Sequence, residues 1–478
     1  MAENITAVVV PDRGSTGARL NVVAPFDGHP LGAVELSDAA AVERALNNAS
    51  RLFRARHAWL PPEQRVAVLR RTARLLEERA ETFALGAARE GGKPLVDSRV
   101  EVARAVDGLN NAAELLRSES GHVVPMNVNA ASAGRFAFTQ REPIGVVVAV
   151  SAFNHPLNLI VHQVAPAIAA GCPVIVKPAE ATPLSCFRLL DLFREAGLPD
   201  GWCQALVTQD HASTAGLVTD PRVGFFSFIG SAAVGWQLRS RLAPGTRCAL
   251  EHGGVAPVIV AADADLANAL PRIAKGAFYH AGQVCVSVQR VYAHRSIVSE
   301  VVEGLAVCAN RLRVGDPSLP DTDVGPLIRP QEVERVHAWV NEAIAEGAKL
   351  ICGGERLSAS CYRPTVLLEP SPRSKVSTSE IFGPVVSVYA YDDLHEAIER
   401  ANHPEFAFHA AIFTRDLNTA FQAYAQLDAS AVMLNDHTAF RVDWMPFAGL
   451  KQSGLGVGGI PYTFRDMQVD KMLVGQLQ

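Results

Sequence analysis

Residues 145–177 have the sequence GVVVAVSAFNHPLNLIVHQVAPAIAAGCPVIVK, and this stretch decides the fold class. Its first part, Val146 to Val150, is a continuous β-branched and apolar run, which is typical of a strand buried on both faces. A helix is predicted from Leu157 to Ala170, and Pro173 to Val176 is predicted as the next strand. A strand, a helix and a second strand at this spacing predict a doubly wound parallel sheet.

The same alternation continues on both sides of Gly254. The first series continues with a predicted helix at Cys186–Ala196, strands at Gln204–Val207 and Gly224–Ile229, and a helix from Ala232. A second series of strands is predicted at Pro257–Val260, Gln289–Ala293 and Val385–Tyr389, with helices between them. The sequence therefore predicts an α/β protein with two Rossmann-like parallel-sheet units in tandem, divided near Gly254.

Other segments lie outside these two series. A helix is predicted to open at Pro62, to keep one apolar face through Ala87, and to end at the run Gly91-Gly92-Lys93-Pro94. A second helix is expected from Ser98 to Leu116. The segment from Val123 to Phe138 fits neither unit, and Met467 to Val474 is predicted as a terminal strand. Both segments are candidates for subunit contacts.

The composition excludes several classes of protein. The chain has 478 residues, 49% of them hydrophobic and 19% charged, so it is long enough for two or three domains. Its net charge of −5 argues against a nucleic-acid binder. No apolar run is long enough to span a bilayer, and the N-terminus lacks the pattern of a signal peptide, so a cytoplasmic location is expected. The eight cysteines form no CxxC pair and show no zinc spacing, so no metal site is predicted.

Cys285 has a neighbourhood that distinguishes it from the other cysteines. It lies in Gly282-Gln283-Val284-Cys285, and Glu251 lies 34 residues upstream, in Leu250-Glu251-His252-Gly253-Gly254. A thiol nucleophile and a carboxylate base, each beside a glycine-marked bend, suit a reaction that forms a thioester and then hydrolyses it. We expect Glu251 to be partly buried, with a raised pKa.

A nucleotide site is predicted at the ends of the first series of strands, where open α/β sheets bind ligands. Lys177 and Glu180 follow the strand at Pro173–Val176 and can bond ribose hydroxyl groups. Gly230 and Ser231 follow a later strand and begin a helix, whose N-terminus suits a pyrophosphate. Glu180 would repel a 2′-phosphate whereas Lys177 would tolerate one, so NAD is expected and NADP is the alternative.

The GxGxxG match at Gly454, Gly456 and Gly459 is rejected as a dinucleotide motif. No predicted strand leads into it, and only nineteen residues follow it, too few for a βαβ unit. We expect this segment to be a loop that closes the second domain.

The sequence shows a family resemblance along nearly the whole chain. The chain resembles the NAD(P)-dependent aldehyde dehydrogenase superfamily in seven motifs that occur in the family's order. These are Phe153-Asn154 with Pro156, Lys177-Pro178-Ala179-Glu180, Phe228-Ile229-Gly230-Ser231, Glu251-His252-Gly253-Gly254, Gly282-Gln283-Val284-Cys285, Glu380-Ile381-Phe382-Gly383-Pro384 and Pro446-Phe447-Ala448-Gly449.

The resemblance implies a division of the fold and a role for each motif. Residues 1–122 and 144–253 would form the NAD-binding domain, 254–453 the catalytic domain, and 123–143 with 454–478 a small β element for oligomerisation, in a homodimer or homotetramer. Cys285 would attack the aldehyde, Asn154 and the Cys285 backbone N–H would donate to the oxyanion, and Glu251 would activate water. By the same analogy Glu380 would hold the nicotinamide ribose and Phe382 would pack beside the ring.

The substrate is less well defined by the sequence. Arg441 and Trp444 lie in a loop that lines the substrate tunnel in the family, and Phe153 and Arg104 are further candidate contacts. An arginine there suits an anionic group on a short polar aldehyde. The loop is similar to the lactaldehyde, phosphonoacetaldehyde and non-phosphorylating glyceraldehyde phosphate branch, although Val284 replaces the arginine that would favour a phosphate. Two readings of Arg441 stay open, because it could instead pair with Asp443 and leave an apolar or aromatic tunnel.

Three other functions are weighed against this one. A CoA-acylating semialdehyde dehydrogenase would share the fold and the thioester, but such enzymes generally lack the base that Glu251 provides. A cysteine hydrolase would need a histidine near the thiol, and the sequence gives no local sign of one. A binding or structural protein would not need Cys285, Glu251, Asn154 and Glu380 together.

Overall fold

The computed structural model describes residues 3–5 and 17–476. The helices are α1 (Ala39–Arg54), α2 (Pro62–Glu78), α3 (Ala80–Gly91), α4 (Leu95–Ser118), α5 (Asn158–Ala170), α6 (Leu184–Glu195), α7 (His211–Thr219), α8 (Ala232–Arg239), α9 (Leu266–Phe278), α10 (Val298–Arg311), α11 (Pro330–Ala345), α12 (Lys375–Thr378), α13 (Leu394–Asn402), α14 (Leu417–Gln426) and α15 (Ile460–Asp466). Short 3-10 turns lie at Arg56–Ala58, Ala130–Ser132 and Tyr279–Gly282.

The strands group into several sheets. They are β1 (Glu3–Ile5), β2 (Arg19–Val23), β3 (Pro30–Ser37), β4 (Val123–Val124), β5 (Arg135–Pro143), β6 (Val146–Val150), β7 (Val174–Lys177), β8 (Cys203–Ala205), β9 (Val207–Thr208), β10 (Val223–Ile229), β11 (Arg247–Glu251), β12 (Pro257–Val260), β13 (Arg290–His294), β14 (Lys349–Cys352), β15 (Thr365–Leu368), β16 (Val385–Tyr391), β17 (Phe406–Ala407), β18 (His409–Phe413), β19 (Ala431–Leu434), β20 (Leu450–Lys451), β21 (Gly454–Leu455) and β22 (Gln468–Gln476).

The first large sheet has the strand order β21-β11-β10-β6-β7-β8 and is parallel except at β21. The chain leaves β6 toward β7 and β8, then returns to the other side of β6 as β10. This reversal places a topological switch point between β6 and β10, where the carboxyl ends of open α/β sheets bind ligands. All five residues of β6 are buried, as the sequence predicts for a strand covered on both faces.

Helices cover both faces of this sheet. Val147 and Ala149 pack into a core with helices α2 to α6, and Val146, Val148 and Val150 pack into a second core with α1 and α7. Successive residues of a strand point to opposite faces, so an uninterrupted apolar run is what such a strand requires. The predicted doubly wound architecture is confirmed.

The second large sheet has the order β14-β15-β16-β13-β12-β18-β19, with only the edge strand β14 antiparallel. Helices α9, α10 and α11 cover one face, and α13 and α14 cover the other. The two sheets are joined by the short segment between β11 and β12, which contains Gly253 and Gly254. The chain thus changes sheets where the sequence places the division.

A three-stranded antiparallel sheet, β22-β5-β4, lies outside both large sheets. β5 and β22 pair along nine residues, which joins the two segments that the sequence assigns to subunit contacts. Phe136, Phe138, Met472 and Leu473 are each more than two-fifths exposed on this sheet.

Two sequence predictions differ from the structure. The single helix expected from Pro62 to Ala87 is divided at Arg79, whose backbone leaves helical geometry and whose guanidinium bonds Glu195 of α6. The apolar spacing continues through this break, and so the periodicity does not detect it. The loop at Gly454–Leu455, expected to close the second domain, instead pairs with β11 of the first sheet beside Glu251.

In the described residues, no helix is long and apolar enough to cross a membrane.

Candidate active site

The carboxyl ends of β6, β7, β10 and β11 open into a cavity of about 920 Å³. Its opposite wall comes from segments of the second unit, within residues 275–286, 328–335, 380–382 and 437–447. The cavity brings together twelve of the thirteen residues that the sequence singles out: Arg104, Phe153, Asn154, Lys177, Glu180, Gly230, Ser231, Glu251, Cys285, Glu380, Phe382 and Arg441.

Cys285 is presented by a strained bend between α9 and β13. His280 and Ala281 have φ values of 50° and 55°, and Gly282 follows with φ 71°. A side chain at Gly282 would overlap the carbonyl group of Gly383, so the bend requires glycine there. Strain of this kind fixes the position of the thiol between the two units.

The electrostatic surroundings keep the Cys285 thiol protonated. Burial raises its pKa to about 12, and the carboxylates of Glu251 and Glu380 raise it further, whereas Arg441 lowers it. A thiol with this pKa needs a base that removes its proton before it can act as a nucleophile.

Glu251 at the end of β11 has the properties of that base. Burial raises its pKa to about 7, with Arg441 acting in the opposite direction. Its carboxylate fills the space where a side chain at Gly458 would stand, so Gly458 is part of the site. The raised pKa agrees with the sequence prediction, and a pKa near 7 suits proton transfer at neutral pH.

Asn154 follows β6 and is buried in the cavity wall. Its Nδ2 donates one hydrogen bond to the carbonyl oxygen of Gln283 at 3.0 Å, next to the loop of Cys285. An amide nitrogen carries two hydrogens, so the second N–H can donate into the cavity. This arrangement suits a donor to an oxyanion formed on a carbon bound to Cys285.

A buried ion pair holds the loop that carries Asn154. Glu101 of α4 accepts hydrogen bonds from the backbone N–H groups of Leu157 and Asn158, both at 2.9 Å, at the start of α5. Its other oxygen contacts the ammonium group of Lys93, and both side chains are fully buried. A carboxylate at a helix N-terminus is stabilised by the orphan N–H groups there. The sequence gives no sign of this pair, because a lysine in a glycine-rich helix end looks like a solvated residue.

The first-sheet side of the cavity fits the expected dinucleotide cofactor. Gly230 and Ser231, the N-cap residue of α8, line the cavity immediately before the helix, and Lys177 contacts Glu180 at 3.2 Å at the end of β7. The Glu180 carboxylate is half exposed, so it remains accessible to a ribose hydroxyl group.

Glu380 provides the sharpest test of this fit. Burial raises its pKa to about 8, and the Gly254 backbone N–H opposes this. In the described chain its Oε1 has no hydrogen-bond partner although it is buried. Its carboxyl group fills the space beside Gly253, which leaves no room for a side chain at that position. A buried acceptor without a partner is costly, and a ligand hydroxyl group would satisfy it.

Two aromatic rings and one histidine complete this side. Phe153 and Phe382 pack edge to face with ring centres 5.8 Å apart. His252 packs against Phe228 and Trp236, and its Nδ1 lies 3.1 Å from the carbonyl oxygen of Gly230. His252 therefore packs next to Glu251.

The substrate side is dominated by the guanidinium group of Arg441. It lies 3.6 Å above the centre of the Phe447 ring, and Nη2 lies 3.5 Å from Nδ1 of His162. Burial lowers the pKa of Arg441 to about 10, so the group is still a cation at neutral pH. Its buried Nη1 has no partner within the ranges that the structure describes.

Asp443 does not satisfy Arg441, because other residues use its carboxylate. Arg104 donates to both of its oxygens at 2.6 and 3.1 Å, and His162 Nε2 lies 2.6 Å from Oδ1. The approach of Arg441 to Asp443 is 3.7 Å, which is too long for a hydrogen bond. These partners hold the pKa of Asp443 far below its ordinary value. The pairing of Arg441 with Asp443, which the sequence leaves open, is thus only a weak contact.

Two of the substrate-binding assignments need correction. Trp444 lies outside the cavity and is 51% exposed, because the turn that buries Asp443 directs the next side chain away from the cavity. Arg104 does line the cavity, but its guanidinium group is committed to Asp443 in a two-bond arrangement. Its contribution is to hold Asp443, and through it the surroundings of Arg441.

Sequence reasoning missed several polar residues of this wall. His162 and Asn158 of α5 both contact Asp443, and His155 Nε2 lies 3.1 Å from the hydroxyl group of Tyr279. Burial lowers the pKa of His155 and of His162, with Asp443 opposing this in both. A histidine in a continuous apolar helix is the only local signal, and it does not identify a partner 281 residues away.

Known proteins resemble this chain along nearly its whole length. The model of the aldehyde dehydrogenase family matches residues 13–473. A 3-sulfolactaldehyde dehydrogenase of Priestia megaterium is 38% identical over 460 residues, which cover 96% of this chain and 95% of the relative. Aldehyde dehydrogenase 21 of Physcomitrella patens, solved in complex with the reaction product succinate, has a TM-score of 0.95 and 34% identity, covering 99% of each chain. Glyceraldehyde-3-phosphate dehydrogenase GapN of Methanocaldococcus jannaschii, complexed with NADP, has a TM-score of 0.91 and 34% identity, covering 96% of this chain and all of that one.

Proposed function

The chain belongs to the aldehyde dehydrogenase family, and from this premise we propose that it oxidises a short polar or anionic aldehyde to the carboxylic acid. The observation that carries the choice of substrate is Arg441. Its guanidinium group is buried in the same cavity as Cys285 and Glu251, and its Nη1 nitrogen has no hydrogen-bond partner in the described chain.

In the first half of the reaction, Glu251 removes the proton of the Cys285 thiol and the sulfur adds to the aldehyde carbon. The carbonyl oxygen becomes an oxyanion, which accepts hydrogen bonds from the Asn154 amide and from the Cys285 backbone N–H. When bound, NAD or NADP supplies the acceptor for the hydride that leaves this carbon. Lys177, Glu180, Gly230, Ser231, Glu380 and Phe382 are the residues that would hold it.

In the second half, the product on Cys285 is a thioester. Glu251 accepts a proton from water, the water oxygen adds to the thioester carbon, and the C–S bond breaks to release the acid and the thiol. Between the two halves Glu251 releases the thiol proton to solvent, and a pKa near 7 allows both this release and the uptake of a proton from water at neutral pH.

The charge of Arg441 supports recognition of an anionic group. A guanidinium group binds a carboxylate, sulfonate or phosphate through two parallel hydrogen bonds. The three relatives named above act on 3-sulfolactaldehyde or glyceraldehyde 3-phosphate, or were solved with succinate, and each of these molecules carries an anionic group. Two features favour a single compact anion on the substrate. Val284 replaces the arginine that would favour a phosphate, and Arg104 is already bonded to Asp443 and so is not available to a substrate.

Release on water rather than on CoA is proposed because Glu251 is present. A CoA-acylating enzyme needs no base to activate water, so a buried carboxylate with a raised pKa in the same cavity as Cys285 favours hydrolysis. The comparison is made by adding CoA to the assay.

We propose further that the first unit binds the cofactor, that residues 254–453 carry the nucleophile, and that the β4–β5–β22 sheet joins subunits in a homodimer or homotetramer. The exposed apolar residues of that sheet support this assignment. Mass measurement by light scattering of the intact protein, compared with a Phe138→Lys variant, tests it.

The decisive experiment is the formation of NADH or NADPH across a panel of aliphatic, aromatic, hydroxy and anionic aldehydes. The expected result is turnover that is highest with short anionic aldehydes, gives the acid as product, is independent of CoA and disappears in Cys285→Ala. A preference for long apolar or aromatic aldehydes, or turnover that requires CoA, would reject the proposal.

A further inference from the structure

A second cavity lies between α2, α4 and the end of α6. Its volume is about 670 Å³, and it shares no lining residue with the active-site cavity. Its lining residues are Pro62, Glu63, Val66, Ala67, Arg70, Arg71, Arg74, Leu116, Arg117 and Ala196. We call this the α2–α4 groove.

Four arginines line this groove: Arg70, Arg71 and Arg74 on α2 and Arg117 on α4. The only carboxylate in the lining is Glu63. The concentration of positive charge is notable in a chain whose net charge is −5. Like charges at positions i and i+4 of a helix, as in Arg70 and Arg74, repel one another unless an anion lies between them.

The arginines of the groove differ from those beside it. Arg79 bonds Glu195 at 2.7 Å, and Arg194 bonds Asp191 at 3.1 Å. In the described ranges, by contrast, no carboxylate lies within ion-pair distance of the four arginines of the groove; Arg71 acts on Glu195 only at longer range. Glu195 and Asp191 are therefore already paired, Glu63 is the one carboxylate in the lining, and the groove keeps an excess of guanidinium groups.

The floor of the groove is apolar. Val66 and Leu116 are partly buried, Ala196 is buried, and Pro62 closes one end. An apolar floor below a row of guanidinium groups matches a molecule with a flat organic body and several anionic oxygens. Guanidinium groups pair with phosphate oxygens and also stack on aromatic rings.

We propose that the α2–α4 groove binds a small polyphosphate, with the phosphates between the arginines of α2 and Arg117 of α4. The shared chemistry is that of a nucleoside polyphosphate and of inorganic polyphosphate. This site is separate from the cavity of Cys285, so it is independent of the proposed substrate and of cofactor binding there.

The test is isothermal titration of the intact protein with ATP, with inorganic tripolyphosphate and with adenosine. Saturating NAD is present, so that the active-site cavity is occupied. The groove variant is Arg70→Gln/Arg117→Gln, which keeps long polar side chains but removes charge from both walls. The matched control is Arg79→Gln/Arg194→Gln, which removes two paired arginines outside the groove.

We expect ATP and tripolyphosphate to bind the unaltered protein and the control, and adenosine alone to bind neither measurably. The groove variant should bind ATP at least about tenfold more weakly, because two charge-assisted contacts are lost. Added salt should weaken the binding. Tighter binding of ATP than of tripolyphosphate would show that the apolar floor takes part, and equal binding would identify phosphate as the whole ligand.

Equal affinity of the groove variant and the unaltered protein, or no heat of binding with either phosphate probe, would overturn the proposal. Unchanged NADH formation by the variant confirms that it is folded. If the double variant does not fold, Arg74→Gln, at an exposed position of the groove, replaces it and should weaken ATP binding severalfold.

Discussion

The two sides of the active-site cavity are constructed in different ways. On the cofactor side, Lys177, Glu180, Gly230 and Ser231 each follow a strand of the first sheet within a few residues. On the substrate side, Arg441 depends on a buried network in which Arg104 of α4 and His162 of α5 meet Asp443. These four cofactor-side residues are therefore encoded locally, whereas the surroundings of Arg441 exist only after distant segments of the chain have packed.

This difference between the two sides indicates that the cofactor position is fixed by the fold, whereas substrate preference can change with single residues. A strand end and a helix N-terminus are fixed by the topology of the sheet, so the position of the cofactor follows from the fold. A buried charge network is held by pairwise contacts, so we expect exchange of one partner to change which substrates the cavity binds. Cys285 and Glu251 lie where the two sides meet.

Removing the nucleophile should abolish the reaction while leaving cofactor binding intact, and this is the largest effect expected. We expect Cys285→Ala to lower aldehyde oxidation by about 10⁴-fold or more, because no covalent intermediate can form. Binding of NAD, measured by the quenching of protein fluorescence, should stay within about twofold of normal. Loss of cofactor binding in this variant would show that the two sides are not independent.

Removing the base should slow the reaction by about 10²–10⁴-fold. In Glu251→Gln the thioester should accumulate, detectable as an acyl adduct on Cys285 by mass spectrometry of the intact protein. The pH dependence follows from the raised pKa of Glu251, about 7. The carboxylate is the active form, so the rate should fall as the pH falls through 7 and level off above it.

The same pH profile discriminates between two states of the thiol. With Glu251 as the acceptor of its proton, Cys285 reacts without a preformed thiolate, and the rate is flat above pH 8. A rate that continues to rise toward the pKa of about 12 of the thiol would mean that Glu251 does not act on Cys285.

Weakening the network should affect the substrate side alone. Asp443→Asn removes the charge that Arg104 and His162 share, so kcat/KM for anionic aldehydes should fall about tenfold. KM for NAD should not change. Breaking a buried pair costs about 3–5 kcal/mol, so the unfolding midpoint should also fall. Asp436→Asn, which disrupts a more exposed pair with Arg272 in the same loop, is the control and should change neither property.

The smallest effect is expected at the edge of the cofactor side. Glu180→Gln removes a charge that would repel a 2′-phosphate. The ratio of kcat/KM with NADP to kcat/KM with NAD should therefore rise a few-fold. The rise is small because a charge at a half-exposed position contributes about 1 kcal/mol or less. An unchanged ratio would place the discrimination between cofactors at another residue.

The sequence predicts the fold well because its signals are local. The apolar run at Val146–Val150 and the glycine pair at Gly253 and Gly254 mark a buried strand and the change of sheet, and the structure has both. The break at Arg79 has no such signal, because it interrupts a helix without interrupting its apolar face.

The candidate site also contains residues that the sequence predicts and residues that it does not. On the cofactor side, Lys177, Glu180, Gly230 and Ser231 each lie beside a strand that the sequence identifies, whereas Glu380 and Phe382 follow only from the family resemblance. On the substrate side, the sequence suggests Arg441 but also Trp444, which points away because Asp443 is buried beside it. The pairing of Lys93 with Glu101 is not predicted from the sequence, since an ion pair between the turn after α3 and the buried face of α4 leaves no periodic pattern.

The most direct test of the account compares one anionic aldehyde with one neutral aldehyde of similar size, 4-oxobutanoate and butanal, in the unaltered protein and in Arg441→Gln. The account predicts that kcat/KM for 4-oxobutanoate falls about 10–100-fold, as expected for lost charge-assisted hydrogen bonds, while kcat/KM for butanal changes by less than about threefold. Trp444→Ala, in the same loop but outside the cavity, should alter neither value. An equal fall for both aldehydes in Arg441→Gln would contradict the account, because the effect of Arg441 on the pKa of Glu251 and of Cys285 would then explain the whole loss without any contact to the substrate.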